Sequence, residues 1–266
     1  MQNNENKKEK LLLVDVGNTQ TVLGVFEDDC LLRHWRISTN KLATGDELRL
    51  KIHPLFQQAG ICTSSLTGSA FACVVPKLSM SWNDALLGIV GIEPLVVNLQ
   101  SSKNLFKHNF VSAAEIGADR IADAVAASKK FGCPCIVADF GTATNIEVID
   151  KDGIFLGGII TPGLETSASA LFSSATKLCD INLEAPASPI GTTTQEALQA
   201  GLIFGEADRV DGLIARIEEQ LGYKLTVVAT GGLSDIISKH SKRIEHVDKD
   251  ITLEGIRLIY ENAKPK

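Results

Sequence analysis

Apolar runs of strand length alternate with longer stretches of helical period along this chain, and the order is nearly the same in its two halves. Residues 11–16 (LLLVDV) and 21–26 (TVLGVF) predict two strands joined by a short polar turn, and LLRHWRIST at 31–39 predicts a third. TGDELRLKIHPLFQQAG at 44–60 predicts a helix with Thr44 or Asp46 as N-cap and Gly60 as its stop. A buried strand at 69–76 ends on Pro76, a helix follows over 77–91, and PLVVNL at 94–99 is one more strand. Residues 112–132 read as a single helix with a capping box from Ser112 to Glu115 and a stop at Gly132.

The pattern then restarts. CIVADFGTATNIEVID at 135–150 is again strand, turn and strand, DKDG at 150–153 is a hairpin turn, and IFLGGII is the next strand. Pro162-Gly163 opens a helix over 164–176, and residues 192–222 carry a long 3.6-residue periodicity. LTVVAT is a strand, GGLSDIISKH a turn and helix, and DITLEGIRLIYENAK a terminal helix. These elements define an α/β protein with internal two-fold repetition, divided into a polar tail (1–10), an N-terminal half (11–130) and a C-terminal half (131–266).

The repeats share one unusual feature. Each opens with an apolar strand that ends on a carboxylate, Asp15 or Asp139, followed by glycine and small polar residues. An unpaired carboxylate at the end of a buried strand is costly, so the acid needs a partner. Asp15 could bond the amides of its own turn as an Asx-turn, or face a magnesium ion beside phosphates held by Val16, Gly17, Asn18 and Thr19. Both hairpins feed strands, which excludes the glycine loops of Rossmann and Walker folds, where the loop leads into a helix.

Composition narrows the partners. The chain has 266 residues, 44% of them hydrophobic, and a formal net charge of -6, enough for two cores and the wrong sign for a nucleic-acid surface. No apolar run approaches the ~18 residues of a membrane span, and the polar opening lacks the apolar core of a signal peptide. The six cysteines are scattered, and Cys133-Pro134-Cys135 has no histidine at zinc-ligand spacing, so reduced thiols are expected.

With both hairpins in place, the sequence resembles the actin-like ATPase and sugar-kinase superfamily and, within it, the type III pantothenate kinases. The resemblance is carried by D-V-G-N-T at 15–19, W-R-I-S-T at 35–39, V-V-P at 74–76, G-A-D-R at 117–120 and D-F-G-T-A-T at 139–144. G-G-I-I-T-P-G at 157–163, Thr194, T-G-G at 230–232 and L-E-G at 253–255 complete an ordered series. It implies two ribonuclease H-like halves, each with a mixed five-stranded sheet, and an active cleft between them. It also implies transfer of a phosphoryl group from ATP to pantothenate, the first step of coenzyme A synthesis, in a cytoplasmic homodimer with the site near its interface. Magnesium with ATP and a monovalent cation, potassium or ammonium, are the expected cofactors.

On that resemblance Asp119 is the general base, Arg120 orients pantothenate, and Gly117 and Ala118 allow its close approach. Asp139 could hold magnesium as the second hairpin acid; the family points to the monovalent cation. Thr142 and Thr144 are expected as phosphate-side donors, though hairpin hydroxyls can also be strand surface. Thr194 would reach the partner's pantothenate or cap its own helix, and Gly231 and Gly232 match the adenosine-side loop. Family members commonly carry Tyr and Pro where this chain has Phe110 and Ala113 at the substrate pocket, Thr where it has Asn145, and Asn where it has Asp123. Two other readings stand beside the kinase: a regulatory relative without catalysis, and a phosphate-ester hydrolase of the same superfamily.

Overall fold

The structure, a computed structural model, describes residues 9–174 and 181–264. Most of the polar tail (1–8), the last two residues of the helix expected at 164–176, and Cys179 lie outside the described residues. Compact packing divides the chain into two units: one takes the chain up to Phe106, Ser112–Ala126 and Thr252 onward, the other Lys107–Val111 and Ala127–Ile251.

The first unit is built on strands β1 (Lys10–Val16), β2 (Gln20–Glu27), β3 (Cys30–Ser38), β4 (Gly68–Cys73) and β5 (Leu95–Val96), in the order β3-β2-β1-β4-β5. β1 and β2 form the expected antiparallel hairpin, and β4 lies parallel to β1. β1 is buried on both faces, because Leu11, Leu12, Leu13 and Val14 are all excluded from water; that explains a continuous apolar run in place of alternation. Helices α1 (Gly45–Gln58) and α2 (Ser79–Val90) cover one face, where Leu48, Ile52, Phe56, Trp82 and Leu86 pack on Leu12, Val14 and Phe71. Thr44 proves to be the N-cap of α1, in a capping box with Glu47. A four-residue helix, α3 (Leu99–Ser102), follows β5.

The expected helix over 112–132 is two pieces. Ala113–Glu115 is a 3-10 turn, Ile116 is extended, and helix α4 begins only at Ala118 and runs to Phe131. Ser112 makes no capping bond, so the capping box read from Ser112 and Glu115 does not form. The restart leaves Asp119 in the first turn of α4, where a carboxylate meets the positive end of the helix dipole.

The second unit has strands β6 (Lys107–His108), β7 (Cys135–Phe140), β8 (Ala143–Ile149), β9 (Ile154–Pro162), β10 (Thr226–Thr230) and β11 (His246–Val247), in the order β11-β10-β7-β8-β9-β6. Without β6 the order and strand directions repeat those of the first sheet, β9-β8-β7 matching β3-β2-β1 and β10-β11 matching β4-β5. The expected five strands are thus present in each sheet, and the short β6 adds a sixth at the edge by pairing with β9. The DKDG turn forms as expected, with Asp150 accepting from the amides of Asp152 and Ile154. Helix α5 (Leu164–Ser174) follows β9, and helix α6 (Thr194–Leu221) covers the core with Ile203, Ala207, Val210 and Ile214. Helix α7 (Ser234–Ser238) follows β10.

The terminal helix α8 (Ile251–Ala263) packs in the first unit from Thr252 onward, although its sequence position groups it with the second half. Three glycines admit it. A Cβ on Gly24 would come within 2.7 Å of Leu253, one on Gly68 would overlap the Tyr260 hydroxyl, and one on Gly255 would overlap the carbonyl of Ala122 in α4. Gly255→Ala should therefore cost about 1–3 kcal/mol, the usual toll of overpacking. A lower urea midpoint at unchanged slope would show it; an unchanged midpoint would mean that α8 shifts freely on α4.

Candidate active site

In the first unit, the hairpin turn, Val74 and the start of α4 meet through a chain of short contacts. The amide of Gly17 donates to the Gln20 carbonyl at 3.0 Å, which closes the turn after β1. Gly17's amide is thus engaged by the backbone of its own turn. Asn18 and Thr19 stand exposed at the tip. The Thr39 hydroxyl donates to the Gly17 carbonyl at 2.8 Å, and the Thr39 amide donates to the Thr19 carbonyl at 2.9 Å. Asp15 sits opposite Ala72 in the parallel ladder, and its charge adds to the burial that pushes the Cys73 thiol up.

Next to this turn, the Val74 amide donates to the Val16 carbonyl at 3.1 Å. Val74 is also a neighbour of Gly117, where an added Cβ would overlap Asp119 Oδ1. Glycine at 117 is what lets the Asp119 carboxylate fold back against the chain, and that oxygen accepts from the Arg120 amide at 2.8 Å. Burial raises the Asp119 pKa, against the opposing pull of the Arg120 amide and guanidinium. Asp15, Val16, Gly17, Gly117, Ala118, Asp119 and Arg120 therefore gather at one end of β1, Arg120 being buried. A carboxylate poised in this way can take a proton from an alcohol.

In the second unit, Asp139 is the partly exposed residue near the end of β7, followed by buried Phe140, and lies opposite Asn145 and Thr230 in the ladders. Gly231, at φ +88°, comes so close that a Cβ there would overlap Asp139 Oδ1 and lie 2.6 Å from the Phe140 carbonyl. The T-G-G loop is thus seated on the Asp139 hairpin, with Gly232 exposed beside it. A carboxylate and a carbonyl oxygen side by side are donors of the kind a hard cation takes. Thr142 stands exposed at the hairpin tip. Thr144 does not: it is buried, and its hydroxyl donates to Glu206 in α6 at 2.7 Å. Thr144 is therefore no phosphate donor, because its single proton is already committed.

Phe110 lies against Phe155 at 6.2 Å between ring centroids and covers Gly157. The N-cap of α6 is Thr193, in a capping box with Glu196, whose carboxylate also binds the Thr192 amide and hydroxyl. Capping is thus done without Thr194, which stands exposed in the first turn. Sequence reasoning missed the roles of Thr39 and Glu206. The signal for Glu206 was a charged residue inside the apolar stripe of α6, where an unpaired acid is rarely tolerated.

Two sheets of one topology, each opening on an acid-ended hairpin, define an actin-like ATPase fold of the sugar-kinase class. Solved structures agree. A Baf family transcriptional activator from Campylobacter jejuni matches with a TM-score of 0.60 at 16% identity, over 94% of this chain and 98% of that one. An inorganic polyphosphate/ATP-glucomannokinase from Arthrobacter sp. strain KM matches with a TM-score of 0.52 at 15% identity, over 96% and 99%. A sequence profile of the type III pantothenate kinases matches residues 11–216. The type III pantothenate kinase of Roseiflexus sp. (strain RS-1) is 43% identical over 94% of this chain and 98% of its own length. That of Myxococcus xanthus (strain DK1622) is 40% identical over 94% and 97%. The chain belongs to the type III pantothenate kinase family.

Because the folded pKa of Asp119 is raised, its ionised form strains the fold above that pKa, and the strain vanishes below the ordinary carboxylate value. Asp119→Asn should therefore melt at a higher temperature than the wild type at neutral pH. The difference should fade as pH falls through the raised pKa towards 3.8. Equal melting temperatures at neutral pH would contradict the burial of this charge.

Proposed function

We propose that this chain transfers the γ-phosphoryl group of ATP to the terminal hydroxyl of pantothenate, yielding 4′-phosphopantothenate and ADP, with Asp119 as general base. The crowded Asp119 carboxylate, fixed by the Arg120 amide, is the observation that carries the assignment. As the hydroxyl oxygen attacks phosphorus and the bond to ADP breaks, Asp119 takes the hydroxyl proton; its raised pKa makes it a stronger base than a solvated carboxylate. Arg120 orients the acceptor, Gly117 and Ala118 give it room, and Phe110 supplies an apolar wall. Phosphoryl transfer is otherwise positioning and charge stabilisation, the task we assign to the Val16–Thr19 turn, Thr142, and the Gly231–Gly232 loop for the nucleotide.

A kinase of this kind takes ATP with a divalent metal. We assign magnesium, held through water by Asp15, and potassium or ammonium at Asp139; when bound they neutralise phosphate charge. The oxygen donors beside Gly231 support the second assignment. Among the described residues no helix is long and apolar enough to cross a membrane. We further propose a cytoplasmic homodimer in which Thr194 completes the partner's pantothenate site.

ADP release from ATP and magnesium should require pantothenate and should fall when sodium replaces potassium. Asp119→Asn should lower turnover ~100-fold or more, and the acid limb of the wild-type pH profile should lie above the ordinary carboxylate range. ADP release without pantothenate would favour a hydrolase, and no release with a folded protein would favour a regulatory relative.

The two threonines before Gln195 should separate. Thr193→Ala should cost about 1 kcal/mol of stability through the lost cap with little change in the KM for pantothenate. Thr194→Val should leave stability unchanged and raise that KM. A Thr194→Val enzyme with wild-type KM would remove Thr194 from the substrate site.

A further inference from the structure

Glu206 is an ionisable residue that neither the general-base chemistry nor the expected phosphate and cation ligands use. It is 4% exposed, on the core-facing side of α6. One carboxylate oxygen accepts the Thr144 hydroxyl at 2.7 Å, and the other pairs with the Arg209 guanidinium one turn later. The same guanidinium donates to the Pro162 carbonyl at 3.0 Å, at the end of β9. Thr144 pairs with Phe140 across the hairpin, and Pro162 pairs with Ala143 on the other side. Glu206 and Arg209 therefore grip β8 through Thr144 and β9 through Pro162, where β8 leaves the Gly141–Thr142 turn. From the remaining side the Gly163 amide and the Thr166 hydroxyl donate to the Thr142 carbonyl, at 3.1 and 2.7 Å.

Stability alone gives no reason for this arrangement. A buried charge, even paired as here with a partly exposed arginine, can often be replaced by apolar side chains of similar volume without loss, and its neighbours in the stripe, Ile203, Ala207 and Val210, are apolar already. A directional pair does what packing cannot: it fixes the depth and rotation of one turn. We propose that Glu206 is a positioning residue for the phosphate-side turn, holding Thr142 and the Asp139 hairpin in register for the nucleotide through Thr144 and Arg209. This rests on the kinase reading of that hairpin.

The test combines ATP kinetics with calorimetric binding of a non-hydrolysable ATP analogue and magnesium in the absence of pantothenate. Glu206→Leu, folded by circular dichroism, should raise both the ATP KM and the analogue Kd about tenfold, the worth of one charge-assisted hydrogen bond, while the KM for pantothenate changes little. Glu206→Gln still offers an oxygen to Thr144 and should recover most of the loss. Thr144→Val should reproduce Glu206→Leu, and the double variant should add nothing further. If Glu206→Leu does not fold, Thr144→Val reads the same contact. Wild-type nucleotide affinity in a folded Glu206→Leu or Thr144→Val protein overturns the inference. A wild-type protein that binds the analogue yet shows no turnover of pantothenate sinks the substrate reading alone, and analogue binding still decides the role of Glu206. A wild-type protein that binds no nucleotide overturns both.

Discussion

β1 and β7 are the central strands of their sheets and are excluded from water on both faces. A strand packed in this way cannot slip, since a shift of one residue would drive its side chains into the wrong layer. Polar atoms can appear only near its end, and in both strands the carboxylate arrives there, at Asp15 and Asp139. Open sheets of mixed helices and strands place ligands beyond the carboxyl ends of their strands. Burial fits that rule here: the strand interiors are closed to water, and the turns beyond them carry exposed Asn18, Thr19 and Thr142.

The two turns are braced in different ways. The first is held from within its own sheet, by the hydroxyl and amide of Thr39 at the end of β3. The second is held from outside its sheet, by the Glu206–Arg209 pair of α6 and by Thr166 of α5. The first brace uses neutral groups at a half-open edge and needs no charge. The second starts from a buried carboxylate, which an apolar surrounding would expel if it stood alone; the Thr144 hydroxyl and the partly exposed Arg209 guanidinium are the partners that keep it there.

The apolar periods and the two acid-ended hairpins made the sheet topology legible, because each strand's partner is set by its neighbours in sequence. The motifs that carry the resemblance named Asp15, Asp119, Arg120 and Asp139 directly. What sequence could not give was the break at Ile116 and Gly117, since Ser112 and Glu115 have the spacing of a capping box, while the Asp119 side chain that lies against Gly117 shows only in the fold. Nor could it place α8, whose docking depends on absent side chains at Gly24 and Gly68, far away in the chain, and at its own Gly255, which meets Ala122. Thr144 misled for a related reason: a hydroxyl in a motif looks like a ligand until the carboxylate that takes its proton, 62 residues on, is seen beside it.

Both acids assigned to chemistry or cations outside the first hairpin have a glycine laid against them, Gly117 on Asp119 and Gly231 on Asp139. A side chain at either position would overlap the carboxylate oxygen, so the acid could not keep its present place. With glycine, backbone replaces water on one side of the charge while the other side stays reachable. For Asp119 the result is a carboxylate whose pKa burial raises and whose oxygen the Arg120 amide fixes. The fold bears a charge it would be more stable without, and the base role proposed for Asp119 draws on that burial.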